Sequence, residues 1–459
     1  MNRDYLSTAV AILGTLLFTV LPARLPAVDW TGVPWNASVN QGLAWKSNGP
    51  TFSFSTTVTG GVRELAVGRF LAELSATAKL TESIVPDLDF APSISLGTAT
   101  FRSGNWTLGR QNVSDRAGLV VQHSLDGASW NADLPSKSVW LGLYSPLLLG
   151  AANSTVLLSN LDVQRSAAES FRLAAPRVIG CIGGKISGAQ QPGPSATAEL
   201  WVQADGRHLV HPGYEAVIAA GDSVSGTSDT AGGTVDTLYP VATVTVPLGA
   251  SARFIVKAAG MVGTGIRAPL TGADNDTYTR DTLLSGAGSA SLTLFRTRWM
   301  IALSGDLAGG DIDALTFSEG NTAGNATTYQ PISALSRGTI PGLELGNSAT
   351  VSMSAIGAPF SGARFFALRY LQIVAEARGF FRLTTGPLSF GDVDAESLSS
   401  YLGSEASLAV QWKWNPDASV SVNTAAFVPG YAPTGAISTD YAEGRRIIYD
   451  VGVSVTVFL

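Results

Sequence analysis

Side chains able to do covalent or metal chemistry are scarce in this chain, which has three histidines and one cysteine in 459 residues. His208 and His211 form an HxxH pair close after Asp205. That spacing brings two imidazoles toward one cation, but a zinc site also wants a third ligand and a defined helix or turn, so a loop pair is the favoured reading. Asp274, Asp276 and Asp281, and separately Asp306, Asp311 and Asp313, are oxygen donors suited to Ca²⁺. They lack EF-hand spacing and read first as solvated acidic loops. No Gly-x-Ser-x-Gly elbow precedes an Asp and a His in order, since the last histidine is His211. His123 beside Ser124 is the Ser/His pair worth locating. No Gly-rich loop leads from a strand into a helix to cradle phosphate, and Cys181 alone makes no internal disulfide. An enzyme, a cofactor and a resident metal are therefore not expected.

The charges carry more information than the nucleophiles, because they fall on alternate residues of apolar segments. From Ala66 to Thr81 the even positions read Phe70, Ala72, Leu74, Ala76, Ala78 and Leu80, while Arg69, Glu73 and Lys79 lie on the odd ones. Glu199 and Gln203 alternate with Ala198, Leu200 and Val202; Gln372, Glu376 and Arg378 alternate with Leu371, Ile373, Ala375 and Ala377. A period of two makes each segment a strand with one apolar and one wet face. Only 14% of the chain is charged and mean hydropathy is +0.22, against about 25% charged in a typical soluble domain. Beyond the first thirty positions, Ser, Thr, Gly or a charge interrupts every apolar run before the roughly 20 residues that a spanning helix needs. Apolarity spread by alternation suits a barrel wall, with lipid on one side and water on the other; a soluble β-sandwich is the competing reading.

Three features favour the barrel. Charges stand mid-strand on the wet faces. Leu408, Val410, Trp412 and Trp414 run into an Asn415–Pro416–Asp417 turn, which places Trp412 and Trp414 in an interfacial aromatic girdle. The chain also ends in a strand, Tyr449, Val451, Val453, Val455, Val457 alternating with polar or small residues up to Phe458 and Leu459. A bare apolar edge is a liability in water and finds a partner only where the sheet closes. The fold expected is all-β: a transmembrane up-and-down antiparallel barrel with long extracellular loops and short periplasmic turns. About 430 residues at about 24 to 27 per strand give about 16 to 18 strands.

The N-terminus reads as a secretory leader over residues 1–27, with Arg3, an apolar stretch from Leu6 to Leu21, and small residues at Ala23 or Ala27 for cleavage; a retained anchor helix is the alternative. Residues 28–459 form the barrel. A net charge of −6 offers nucleic acid no basic footprint.

Two loops share a layout. Ile218–Ala219–Ala220–Gly221–Asp222 leads to Asp236–Thr237–Leu238–Tyr239–Pro240, and Ile301–Ala302–Leu303–Ser304–Gly305–Asp306 leads to Tyr329–Gln330–Pro331. With Gly109–Arg110–Gln111 and Leu125–Asp126–Gly127, this resembles the alginate-export-type porin family, and the strand ending at Phe458 and Leu459 resembles the signal that outer-membrane assembly machinery reads. The resemblance implies a monomeric barrel in the cell outer membrane, with a trimer as the alternative, and it reinforces the placement of Arg110 in the lumen. The acidic charge balance does not suit a polyuronate. The expected activity is passive diffusion of small hydrophilic solutes through a lumen lined by Arg69, Glu73, Lys79, Arg110, Glu199, Gln203, Gln372, Glu376, Arg378 and Arg382, unless these are structural ladders on the inner wall. A surface adhesin or antigen with little conductance is the alternative function.

Overall fold

The computed structural model describes residues 35–46, 49–65, 68–82, 88–146, 176–188, 193–205, 235–267, 279–312, 327–362, 366–386, 396–415 and 418–458, with isolated positions between them, and side chains from Thr98 onward except at 266, 267, 279–281, 366, 367, 414, 415, 443, 457 and 458. The leader expected over residues 1–27, the HxxH pair, the first Gly-Asp loop, Asp274, Asp276, Asp313 and Leu459 lie outside the described residues.

The strands follow in order. β1 (Trp35–Lys46), β2 (Gly49–Leu65), β3 (Gly68–Glu82), β4 (Leu88–Ser103) and β5 (Trp106–Ser114) come first. β6 (Gln122–Leu134), β7 (Lys137–Ser145), β8 (Arg177–Ser187), β9 (Ser195–Asp205) and β10 (Val235–Pro247) follow. Then come β11 (Ala252–Arg267), β12 (Thr279–Phe295) and β13 (Trp299–Ala308). Two two-residue pieces, β14 (Ser336–Arg337) and β15 (Leu343–Glu344), pair only with each other. The wall resumes with β16 (Ser348–Gly357), β17 (Leu371–Arg382), β18 (Tyr401–Asn415), β19 (Ala418–Pro429) and β20 (Ile448–Phe458).

β1–β13 and β16–β20 form one 18-stranded antiparallel sheet, each strand pairing its sequence neighbours. It closes where β20 pairs β1, Phe458 opposite Ser38 and Asp450 opposite Lys46. Closure is what lipid demands, since an unpaired backbone N–H or C=O has no water there to turn to. The strand number falls at the upper end of the expected range. From β2 onward successive connections alternate in length, whereas β1 and β2 are joined by two residues at the long-connection end. On one side Ser103 and Trp106, or Leu134 and Lys137, are directly paired across tight turns. On the other, 31 residues separate β7 from β8 and 29 separate β9 from β10, the differences 177 − 145 − 1 and 235 − 205 − 1. These are the short periplasmic and long extracellular ends.

The alternation read from sequence is the alternation of the wall. Outward-pointing Leu143, Ile182, Leu284, Leu303, Val351 and Met353 are each more than half exposed, a burial pattern backward for water and right for lipid. Leu408, Val428, Tyr449 and Val451 continue the belt round to the closing strand. Trp412 shares the outward phase of Leu408, and the side chain of Trp414 lies outside the described residues. The inner phase carries Thr197, Ser289, Ser291, hydroxyl pairs Ser304–Ser352 at 2.7 Å and Ser421–Ser454 at 2.6 Å, and the charges.

This polarity gives a two-sided expectation. Leu303→Arg, facing lipid, should cost about 2–4 kcal/mol if it lies near mid-depth, whereas Ser304→Arg one residue along, facing the lumen, should cost far less. Urea-dependent refolding into phosphatidylcholine vesicles measures both.

Candidate permeation path and its constriction

The upper lumen is filled by chain. The connection 115–121 between β5 and β6 turns inward, and the Asp115 carboxylate folds it by accepting from Leu119, Val120 and Val121 N–H at 3.1, 2.9 and 2.9 Å. Against it lies a strap, residues 327–347, from the long connection between β13 and β16. Ile332 N–H donates to Val120 O at 2.7 Å, Gln122 N–H to Ser333 Oγ at 2.8 Å, and the Tyr329 phenol to Leu119 O at 2.9 Å. Burial pushes the Tyr329 phenol well above its ordinary pKa, which keeps it a donor.

Inner-wall side chains complete this packing. Tyr239 on β10 donates to Gln330 O at 2.6 Å, and its ring meets that of Tyr329 edge-on with centroids 6.3 Å apart. The two aromatic-Pro segments singled out in the sequence thus touch. Val113, Leu125, Ile179, Trp201, Met261 and Leu335 form one continuous core with the strap and the inner loop. A second core, Leu343, Phe380, Leu388, Leu402, Phe427 and Ile437, lies between the far part of the strap and β17–β20. Gly338, at φ +82°, admits the Phe380 ring, which a Cβ there would approach to 2.7 Å. At the strap's end Asn347 is fully buried, and its Oδ1 accepts from Thr384 N–H at 2.8 Å.

Toward the short-turn end the inner wall is open and wet. Arg102, Lys185, Arg253, Gln372, Lys413 and Asp133 are exposed on inward phases. Arg116, at the lower edge of the inner loop, is exposed and stacks its guanidinium 5.0 Å from the Trp140 ring centre. That indole donates to Glu199 at 3.1 Å.

The proposed pore-lining residues occupy different environments. Arg69, Glu73 and Lys79 fall in β3 on the phase connected by register, through Ser53 and Gly42, to inward Ser454. Gln372, Glu376 and Arg378 lie on the inner phase of β17, with Arg378 Nη2 2.6 Å from Glu376 Oε1. Glu199 and Gln203 point inward but are buried under the inner loop and strap, Glu199 accepting from Arg116 N–H at 2.8 Å. Arg382 is buried too, its guanidinium donating to the carbonyls of Thr385, Ser397 and Ser399. It tethers a connection and presents no charge to a passage.

Arg110 is a correction. It lies on the phase of Trp106 and Leu108, 48% and 43% exposed on the outer wall, and not on that of inward Gln111 and Val113. It forms a two-pronged ion pair with Asp126 at 2.9 and 2.8 Å. The outer face of β5–β6 turns polar there, through Asn112, Ser114, Gln122 and Ser124, while the inner face is apolar because the inner loop covers it. The local hydropathy pattern is inverted, so phase read from polarity fails. Gly109–Arg110–Gln111 and Leu125–Asp126–Gly127 are nevertheless register partners, Gly109 opposite Gly127.

Other assignments are also revised. The backbone places His123 opposite inward Val113 and Ser124 opposite outward Asn112, to whose Oδ1 the Ser124 hydroxyl donates at 2.5 Å, so the two do not form a dyad. Ile301–Asp306 lies wholly inside β13 and does not open a loop. Asp306 meets Arg337 at 3.4 Å, and Asp311 accepts from Thr327 N–H at 2.8 Å. Among the described residues no group of three potential ligands could hold a metal. The sequence reading missed Asp115, Glu405 and Asn347. An Asp with Gly118 three residues on, at φ +68°, was a detectable signal for the turn that Asp115 closes.

A closed 18-stranded wall, apolar outside and wet inside, with inward-folded connections, defines a transmembrane β-barrel of outer-membrane type. Solved structures are similar in fold: Acinetobacter baumannii OccAB1 at TM-score 0.53 and 9% identity, over 93% of this chain and 96% of that one, and Pseudomonas aeruginosa OccK8 (OprE), also at 0.53 and 9%, over 93% and 98%. Pseudomonas aeruginosa OccK5 (OpdH) aligns at 0.52 and 8%, over 93% and 98%. No family model matches the chain, and no curated protein matches it. The likeness is thus to Occ-type barrels, not to the alginate-export type, whose supposed Gly-Asp loop opening lies inside β13.

Arg110→Leu should strand Asp126 at the rim of the lipid belt and cost about 1–3 kcal/mol, with Asp126→Leu added restoring most of it. Refolding titrations read the stability. Ion preference should not change in either variant, because the pair stands outside the lumen.

Proposed function

We propose that the protein is an outer-membrane channel through which small hydrophilic solutes diffuse down their concentration gradients. The observation that carries this reading is the contrast between the two faces of one wall. Away from the polar end of β5–β6 the outer face presents aliphatic rows, while the inner face below the strap exposes Arg102, Lys185, Arg253, Gln372 and Lys413. Charges are stable at that depth only against water. Eighteen strands enclose a lumen wide enough to stay wet where chain does not fill it. The Occ-type barrels of similar fold support the same reading, and one of them, Pseudomonas aeruginosa OccK2 (OpdF), is described in complex with glucuronate. That sugar acid is a property of OccK2.

Diffusion needs no covalent step, cofactor or energy input. We further propose a leader cleaved at Ala23 or Ala27, recognition of the strand ending at Phe458 by the outer-membrane assembly machinery, and a monomeric barrel in the cell outer membrane. Purified protein in planar bilayers should give discrete conductance steps, and liposomes should swell at a rate proportional to solute concentration without saturation. Absence of steps would sink the channel reading.

A further inference from the structure

An 18-stranded ring leaves more space than a small-solute path requires, and the strap removes part of it. What holds the strap's tip is therefore a determinant of aperture. Its near half is fixed by Tyr329, Ile332 and Ser333 to the inner loop, and by Arg337 to Asp306 at 3.4 Å and to Gly118 O at 3.4 Å. Its tip, Gly338 to Gly342, sits across from β17–β19. Both tip glycines have positive φ, +82° and +57°, so the chain turns sharply and leaves the Thr339 and Ile340 N–H groups outside any sheet ladder.

Glu405 on β18 receives both. Thr339 N–H lies 3.0 and 2.9 Å from its two carboxylate oxygens, and Ile340 N–H lies 2.8 Å from one of them. The side chain is 4% exposed and points inward near the long-connection end of its strand. Its register partner is Arg378, whose guanidinium is engaged by Glu376 at 2.6 Å. The Glu405 charge is thus directed at the tip's two backbone donors, and charge-assisted bonds of this kind are short and directional.

We infer that Glu405 is the latch that holds the strap against the β17–β19 wall and so sets the size limit of the channel. It is a positioning residue, acting on permeating solutes through the strap. The inference rests on the channel reading for its consequence but not for its mechanics, and its test separates the two.

Planar-bilayer recordings and liposome swelling with sugars of graded size should compare wild type, Glu405→Gln and Glu405→Ala. Glu405→Ala should raise conductance about twofold and admit larger sugars, with Glu405→Gln, which keeps one acceptor and the shape, in between. In parallel, a nitroxide at Thr339→Cys, an exposed position on the tip itself, in a Cys181→Ser background, should be immobilised with Glu405 present and mobile in Glu405→Ala. Equal conductance, size cut-off and label mobility in all three would overturn the latch. If wild type conducts and the variants do not differ from it, only the latch fails. If wild type gives no steps, the channel reading fails, and label mobility alone still decides the latch. Should Glu405→Ala not reach a heat-modifiable barrel, the same comparison is read from Glu405→Gln.

Discussion

The demand that every backbone polar group in lipid be satisfied within the wall governs the rest of this structure. It requires a closed sheet, and closure requires that the last strand find the first. β20 carries Val451, Val453 and Val455 on the face that meets lipid and Gly452, Ser454 and Thr456 on the face that meets the interior, a strand suited to two different solvents. Paired on one side only it would be an aggregation-prone edge. Paired with both β19 and β1 it makes the ring continuous. The apolar rows on the remaining strands follow from the same requirement, since whatever a closed wall turns outward must be compatible with hydrocarbon.

Inside the ring the problem is reversed, because connections that enter the lumen bring backbone groups away from bulk water. Buried acidic and amide side chains meet that need. Asp115 takes three N–H groups of the inner loop, Glu405 takes two from the strap, and Asn347 accepts from Thr384 N–H while its own N–H donates to Gly309 O at 3.0 Å. Arg382 does the complementary work on carbonyls. A buried carboxylate facing apolar surroundings alone would be costly, and the bonds to backbone donors are what offset that cost. Aromatic side chains lie flat beside them where glycine permits: a Cβ at Gly183 would come within 2.5 Å of the Trp140 ring.

How much of this was legible in the sequence depended on what each residue faces. Strand phase is a matter of one side chain against the next, so β9, β17 and β20 could be read from alternation alone. Trp201 and Val374 broke that pattern in the sequence. Both lie on inner phases, and Trp201 is buried, stacked on Tyr144 with ring centres 6.5 Å apart. What covers an inner face is not local information. Nothing near Glu199 announces that the Arg116 backbone, more than eighty residues earlier, will sit on it, and although the inner loop starts at Asp115, just after β5, the residues that hold it inward, Lys257, Tyr329 and Ile332, lie far along the chain. The strap's partners are separated still more widely in sequence, 210 residues in the case of Tyr329 and Leu119. A charged residue on an alternating strand therefore reported its phase, and failed to report it where a buried loop inverted the polarity of the two faces.

The upper lumen consequently behaves as the interior of a soluble domain set within a membrane wall, and this separates strand number from permeability. Strand number fixes the ring's circumference, but a ring whose inner face holds two packed cores has a passage bounded by those cores. The cores differ in how they are held. The first, against β5–β13, is fixed from several directions by the inner loop, Tyr239, Lys257 donating to Ala117 O at 2.8 Å, and the strap itself. The second meets the tip of the strap through apolar contacts, with Phe380 and Phe427 edge-on at 5.9 Å, and through the Glu405 carboxylate. Apolar contact is not directional, so it holds the tip near the wall without fixing where it stands. Hydrogen bonds to a single carboxylate do fix it, which places control of the aperture in one side chain of the wall and not in the number of strands that compose it.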